Sequence, residues 1–218
     1  MTSPASFTNL ATGDPIVLDE YELVVAGYTG RDATAVQRHI DELALIGVPP
    51  PERIPTFFPL DPGLLTTSPT VTVTGGDTSG EAEPVLVRAA GQLYMTVGSD
   101  HTDRLIESTS IALSKAACPK PVCDQLAPLP PTPEWDKASL RCRVDGEQYQ
   151  SGYLAELRNF AQLLEEYEQG RDGECDLIMF GGTVPLLTPA FVCGTDWTVE
   201  LELADGTRFA HSYRVQTK

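Results

Sequence analysis

Basic residues are scarce in this chain: 15 Lys and Arg stand against 31 Asp and Glu, giving a formal net charge of -16 over 218 residues. So acidic a surface has little to offer phosphate, which argues against nucleic acid or an anionic membrane as partner. No run approaches the ~18 apolar residues of a membrane-crossing helix. Met1 to Ala11 lacks the basic start and apolar core of a secretion signal. A soluble, cytoplasmic protein is expected. Histidine is limited to His39, His101 and His211, and the cysteines, Cys118, Cys123, Cys142, Cys175 and Cys193, are odd in number and scattered. That fits reduced thiols better than a disulfide framework. Cys118 and Cys123 are wrongly spaced for a zinc knuckle, so structural zinc is not expected and Cys118 is read as packing. Core material is not lacking: 41% of the residues are hydrophobic and 7% aromatic. Those are ordinary values for a globular protein, at a length that suits one large domain.

Against this background Glu81, Glu83, Asp100 and Lys115 stand out. Gly80 to Asp100 reads as a β-hairpin, two β-rich runs around Ala89-Ala90-Gly91-Gln92, with Gly91 supplying the positive φ of a tight turn. With Ala90 and Gly91 as the turn residues, Glu81 lies opposite Asp100. Alternation then puts Glu81, Glu83, Val85 and Val87 on one face with Tyr94, Thr96, Gly98 and Asp100. Like charges facing each other at roughly 5 Å repel unless a proton or a cation intervenes, and Gly98, opposite Glu83, is expected to leave room for one. Carboxylate oxygens suit Mg²⁺, Mn²⁺ or Ca²⁺ better than zinc. The alternative is that Glu-x-Glu is the wet side of an amphipathic strand; a one-residue slip would also separate Asp100 from the pair.

The remaining pattern is mostly β with α additions. Ile16 to Ala26 reads as a strand entering the loop Gly27-Tyr28-Thr29-Gly30. Asp32 then caps a helix with Val36, Ile40 and Leu43 at helical spacing, ended by Gly47 and the prolines at 49 to 51. Residues 119 to 133 hold six prolines and are read as loop. Leu140 to Val144 reads as a strand. A helix is expected to follow from a Ser151 cap, burying Tyr153, Leu154, Leu157, Phe160, Ala161 and Leu164. Asp176 to Phe180, Thr198 to Leu203 and Thr207 to Val215 read as strands. A single domain over 1–218 is expected, with residues 1–15 an extended N-terminal arm.

The order of these motifs resembles the fumarylacetoacetate hydrolase superfamily, from about Tyr21 to Tyr213. Glu81-Ala82-Glu83 is similar to its E-x-E metal pair, and Asp100-His101-Thr102-Asp103-Arg104 to its D-x-[ST]-x-R segment. Leu113-Ser114-Lys115 with Cys118-Pro119 is similar to its K-S and C-P stretch, and Asp145-Gly146-Glu147 with Gln150-Ser151-Gly152 to its N-G-E-x-x-Q-x-G turn. Asp176 to Thr183-Val184-Pro185 is similar to its strand and G-T-P loop. There are departures. The Glu83 to Asp100 hairpin is short, Phe58-Pro59-Leu60 replaces the usual lysine-proline pair, and the Gly182-Thr183 loop carries one extra residue before its proline.

The resemblance implies a mixed β-sandwich roll, an α+β fold, and a homodimer. It also implies Mg²⁺ or Mn²⁺ on Glu81, Glu83 and Asp100, with Lys115 facing the site. Its chemistry is attack on, or rearrangement of, a small anionic keto acid through a metal-bound enolate, with C-C hydrolysis of an acylpyruvate or other 1,3-diketo acid first. Decarboxylation, hydration or keto-enol tautomerisation, and a catalytically silent binding protein, are the alternatives. Arg104, Gln150, Gly182 and Thr183 are expected around the substrate. His39 and Glu42, one turn apart on a helix, are similar to the family's water-activating pair; read from the helix alone, they are a polar residue beside an apolar stripe and a solvated carboxylate.

Overall fold

The computed structural model describes residues 4–45, 49–130, 133–171 and 175–218, with the side chains of His39, Glu42 and Leu43 outside that description. In chain order its strands are β1 (Ala5–Asn9), β2 (Pro15–Leu18), β3 (Glu22–Gly27), β4 (Thr56–Leu60), β5 (Leu65–Thr66), β6 (Thr70–Val73), β7 (Thr78–Ser79), β8 (Ala82–Ala89) and β9 (Gln92–Ser99). They continue as β10 (Thr102–Asp103), β11 (Lys120–Pro121), β12 (Gln125–Pro128), β13 (Ser139–Val144), β14 (Glu147–Tyr153), β15 (Leu177–Phe180), β16 (Asp196–Glu202) and β17 (Arg208–Thr217). The helices are α1 (Ala33–Leu45), α2 (Arg104–Glu107), α3 (Ile111–Ala116) and α4 (Phe160–Glu168).

Eight strands form one mixed sheet in the order β2-β1-β12-β9-β8-β15-β3-β4, and five form a second in the order β14-β13-β16-β17-β6. The second sheet packs across β8 and β9 of the first. Between them lie Leu86, Met95, Val97, Leu140, Val144, Trp197, Val199, Phe209 and Tyr213, all buried. The other face of the large sheet buries Phe7, Leu18, Leu23, Val25, Val85, Val87, Ile178 and Phe180. It curls round this second cluster, so that β2, at one edge, comes over β8. Every residue of β8 is therefore buried, as expected of a strand covered on both faces. The architecture is a curled mixed-sheet sandwich, as the resemblance implied.

Three local expectations are corrected. Residues 5–9, within the stretch read as an extended arm, are strand β1, antiparallel to β2 and parallel to β12. Within the proline-rich stretch read as loop, β12 pairs with both β1 and β9; Pro128 stands at its last position, an end that tolerates a missing N–H. The helix expected after a Ser151 cap starts later. β14 stays paired with β13 up to Tyr153 opposite Ser139, and a 3₁₀ turn over Leu154–Glu156 precedes α4. Asn159 caps α4 in a capping box with Gln162. At the other helix Asp32 does cap, its carboxylate accepting from the Thr34 N–H at 2.9 Å. No helix among the described residues is long and apolar enough to cross a membrane.

Candidate active site

Ala90 and Gly91 both adopt positive φ, at 48° and 76°, and the β8–β9 register follows from that turn. Ala82 pairs with Ser99 and Glu83 with Gly98. One step further the Asp100 N–H donates to the Glu81 carbonyl at 3.0 Å, so Glu81 and Asp100 face each other as expected. Two short helices carry the chain on from Asp100 to Lys115. Asp103 caps α2 and Ser110 caps α3, which puts Arg104 at the start of α2 and Lys115 in the last turn of α3.

These elements bring the acidic groups and three cations together in the interior. Lys115 donates to Asp100 Oδ2. The Lys120 ammonium lies 2.9 Å from Asp100 Oδ1, in an ion pair set off the line of a hydrogen bond, and donates to the His101 carbonyl at 2.5 Å. Arg104 is spread over three partners. Its Nη2 donates to Glu81 at 3.0 Å, its Nη1 to both Glu107 oxygens at 3.0 and 2.9 Å, and its Nε to Ser79 Oγ at 2.6 Å. The Phe191 ring stacks on its guanidinium, 3.7 Å from Cζ to the ring centre. Burial opposes the charge on Asp100, but Lys115 and Lys120 outweigh it and hold its carboxyl below the usual range. Glu83 goes the other way: burial first, then the Asp100 charge, push its carboxyl well above the ordinary value.

The loop after β15 closes over Glu83. Gly182 donates its N–H to Glu83 Oε2 at 2.9 Å, and Thr183 donates its hydroxyl to the Ala82 carbonyl at 2.7 Å. Gln150, fully buried, accepts from the Ala82 N–H at 2.9 Å and donates to Thr183 Oγ1 and the Val184 carbonyl at 2.7 and 2.8 Å. Thr183 and Gln150, expected to meet substrate, thus spend these groups on fixing the loop against β8. Tyr28, half-buried at φ 58°, has Lys115 and Glu107 in its surroundings. Glu81, Glu83, Asp100, Arg104 and Lys115 converge. The His39 and Glu42 side chains lie outside the described residues. Lys120, Glu107, Ser79 and Phe191 were missed from the sequence. None of these four carries a sequence signal that would have singled it out.

Three carboxylates are the right chemistry for a hard divalent ion, yet their arrangement does not fit one. Among the described residues, no three His, Cys, Asp or Glu side chains are placed to hold a metal ion. Both Asp100 oxygens face lysines, and Glu81 faces arginine. The room expected beside Gly98 is also taken. A Cβ there would stand 2.6 Å from a carbon of the Phe180 ring and 2.9 Å from the Pro121 carbonyl oxygen. That expectation is corrected: Phe180, paired with Val85 on β15, fills the space.

His101 is buried next to Asp100 and turned away from the cluster. Its ring nitrogens bond Tyr213 Oη at 3.0 Å and Thr78 Oγ1 at 2.9 Å. Burial, then the Lys120 and Arg104 charges, push it down to about 3 from the ordinary 6.5. Between those values the unfolded chain binds a proton that the folded chain refuses. The stability contributed is therefore present above pH 6.5 and lost as pH falls toward 3. Asp100, lowered from 3.8, adds a loss in the same direction at lower pH. Glu83, raised from 4.5, contributes below that value and loses its contribution as pH rises. In urea titrations between pH 7 and 4, the wild type should lose stability more steeply than His101→Asn, by up to about 1.4 kcal/mol per pH unit. Parallel lines would mean that the imidazole takes up its proton as readily in the folded state as in the unfolded one.

The family described as "Protein of unknown function (DUF2848)" matches residues 26–213. No curated protein matches by sequence. Among solved structures, a proposed fumarylacetoacetate isomerase/hydrolase from Oleispira antarctica superposes with a TM-score of 0.71 at 16% identity, over 97% of this chain and 100% of that one. A proposed fumarylpyruvate hydrolase from Burkholderia cenocepacia gives 0.67 at 16% identity, over 100% and 94%. The 5-carboxymethyl-2-hydroxymuconate delta-isomerase from Mycobacterium smegmatis gives 0.64 at 15% identity, over 95% and 84%. The chain shares their fold.

Proposed function

Because the chain belongs to the DUF2848 family and has the fold of fumarylacetoacetate hydrolase structures, we propose that it is an enzyme acting on a small anionic keto acid. The observation that carries the reading is the pair of nearly buried cations, Arg104 and Lys115, each paired with a carboxylate of the cluster. Each would exchange its protein carboxylate for an anionic oxygen of the substrate. Arg104 takes the substrate carboxylate in a forked pair, and Lys115 takes the enolate oxygen. Reaction first is C-C hydrolysis of an acylpyruvate or other 1,3-diketo acid. Water adds to the acyl carbonyl and the bond to the methylene breaks. Its electron pair becomes the enolate while the acyl part leaves as a carboxylic acid, and return of the proton taken from water to the methylene carbon releases the shorter keto acid. His39, oriented by Glu42, takes the proton from water. Gly182, Thr183 and Gln150 hold the loop that borders the substrate. The Mg²⁺ or Mn²⁺ expected on Glu81, Glu83 and Asp100 would require Asp100 to exchange both lysines for the ion. A homodimer is the expected assembly.

The same enolate serves isomerisation, the activity described for the Mycobacterium smegmatis neighbour. Assay of a panel of acylpyruvates by loss of enol absorbance, with the released carboxylic acid and shorter keto acid quantified beside it, separates the readings. His39→Ala should abolish hydrolysis and spare tautomerisation. Arg104→Met should raise KM about 10- to 100-fold, the worth of a charged hydrogen bond to the substrate. Binding of the diketo acids without any turnover would overturn the enzymatic reading in favour of a binding protein.

A further inference from the structure

Lys120 has no role in the chemistry above, and its position is costly. It is fully buried on β11, and its ammonium reaches Asp100 Oδ1 and the His101 carbonyl. A lysine is almost never buried completely unless paired, and this one shares its carboxylate with a second buried lysine. The charges pair off: Glu81, Asp100 and Glu107 face Arg104, Lys115 and Lys120, three against three. We infer that Lys120 is a built-in counter-ion that stands in for a divalent cation, so that the acidic cluster is assembled and held by the chain's own ammonium groups.

Three observations converge on it. Asp100, the carboxylate expected to be a ligand, has one oxygen on each lysine. The gap opposite Glu83 is filled by Phe180 and the Pro121 carbonyl, and Pro121 is the neighbour of Lys120 on the same strand. β11 is itself pinned beside β5, Lys120 opposite Leu65, so the ammonium is delivered by fixed backbone and not by a surface chain that swings in. A divalent ion added to this arrangement would place two further positive charges beside Lys115 and Lys120, and like charges at such range repel.

The inference concerns the same cluster as the proposed function but not its substrate, since it is read without turnover. Wild type and Lys120→Met are stripped with EDTA and titrated with Mn²⁺, following heat release and melting temperature. The wild type should show no saturable site and no rise in melting temperature. Lys120→Met should melt lower than the wild type without metal, bind Mn²⁺ at a saturable site, and gain about 5–10 °C at a hundredfold excess over Kd. Stoichiometric Mn²⁺ binding by the wild type would overturn the inference, and so would a folded Lys120→Met that ignores Mn²⁺. Should Lys120→Met fail to fold, the wild-type titration and the Asp100→Asn/Lys120→Met variant, which removes both charges, decide. The double variant should fold and stay indifferent to Mn²⁺, and a rise in its melting temperature with Mn²⁺ would overturn the inference.

Discussion

Asp100→Asn should cost about 3–5 kcal/mol of stability, the range for breaking a buried pair and leaving its partner charged. Here two partners are left. Asp100 and Lys120 are wholly buried, and the Lys115 side chain is 10% exposed. Asparagine keeps one oxygen, so one ammonium retains a weaker bond and the other faces an amide N–H₂. In a chain of this size each kcal/mol moves the melting point by about 2–4 °C, so a fall of about 10 °C is expected. Removing one of the stranded charges as well should restore part of the loss. Asp100→Asn/Lys120→Met should be more stable than the sum of its single variants by about 1–3 kcal/mol, the coupling of groups in contact. Urea denaturation of the four proteins measures the cycle. A loss below about 1 kcal/mol for Asp100→Asn would mean that water reaches the lysines and that the interior pairing is not what holds this end of the sheet.

The legible and the illegible parts of this site differ in how far their causes lie along the chain. The register that sets Glu81 opposite Asp100 is a local property, fixed by the Ala90-Gly91 turn and the alternation beside it. A hairpin brings its two strands together whatever the rest of the molecule does. Arg104 and Lys115 were readable because a motif resemblance placed them, although α2 and α3, which deliver them, are too short to show a period. Lys120 was not readable. Its burial is imposed by Leu65 and Asp100, and no period in Cys118-Pro119-Lys120-Pro121 marks an inward side. The filled space at Gly98 was invisible for a similar reason, since Phe180 comes from a strand far along the chain. The late start of α4 is a case of tertiary pairing overriding a helical pattern: Tyr153 and Ser151 are taken by β13, and the stronger cap, Asn159 with Gln162, lies beyond them. β12 shows the same contest, with Thr8 and Met95 recruiting Gln125 and Ala127 on opposite sides from a stretch whose prolines argued for loop.

Gly182→Ala tests the other wall of the cluster and should rank with Asp100→Asn in effect. Two separate costs add. Gly182 sits at φ +91°, where a side chain is strained by about 1–3 kcal/mol. An added Cβ would also fall 1.8 Å from Thr29 Oγ1 and 3.0 Å from Thr29 Cβ. Thr29 is 3% exposed, and its carbonyl accepts from the Arg158 N–H at 2.9 Å, so it has little room to yield. Overpacking of this kind costs about 1–3 kcal/mol, and with the backbone strain the sum is about 2–6 kcal/mol. Relief by moving the loop would break the N–H donation from Gly182 to Glu83, leaving a buried carboxyl without that donor. Gly98→Ala supplies the comparison, because its Cβ meets Phe180 and Pro121 at ordinary φ. It should cost only the packing part, about 1–3 kcal/mol. The two costs at Gly182 separate by shaving Thr29: Gly182→Ala/Thr29→Ala should regain the packing part relative to the single variant and keep the backbone strain. Equal stability of the Gly182→Ala and Gly98→Ala proteins would show that the loop relaxes freely, and then the Gly182 N–H has no fixed hold on Glu83.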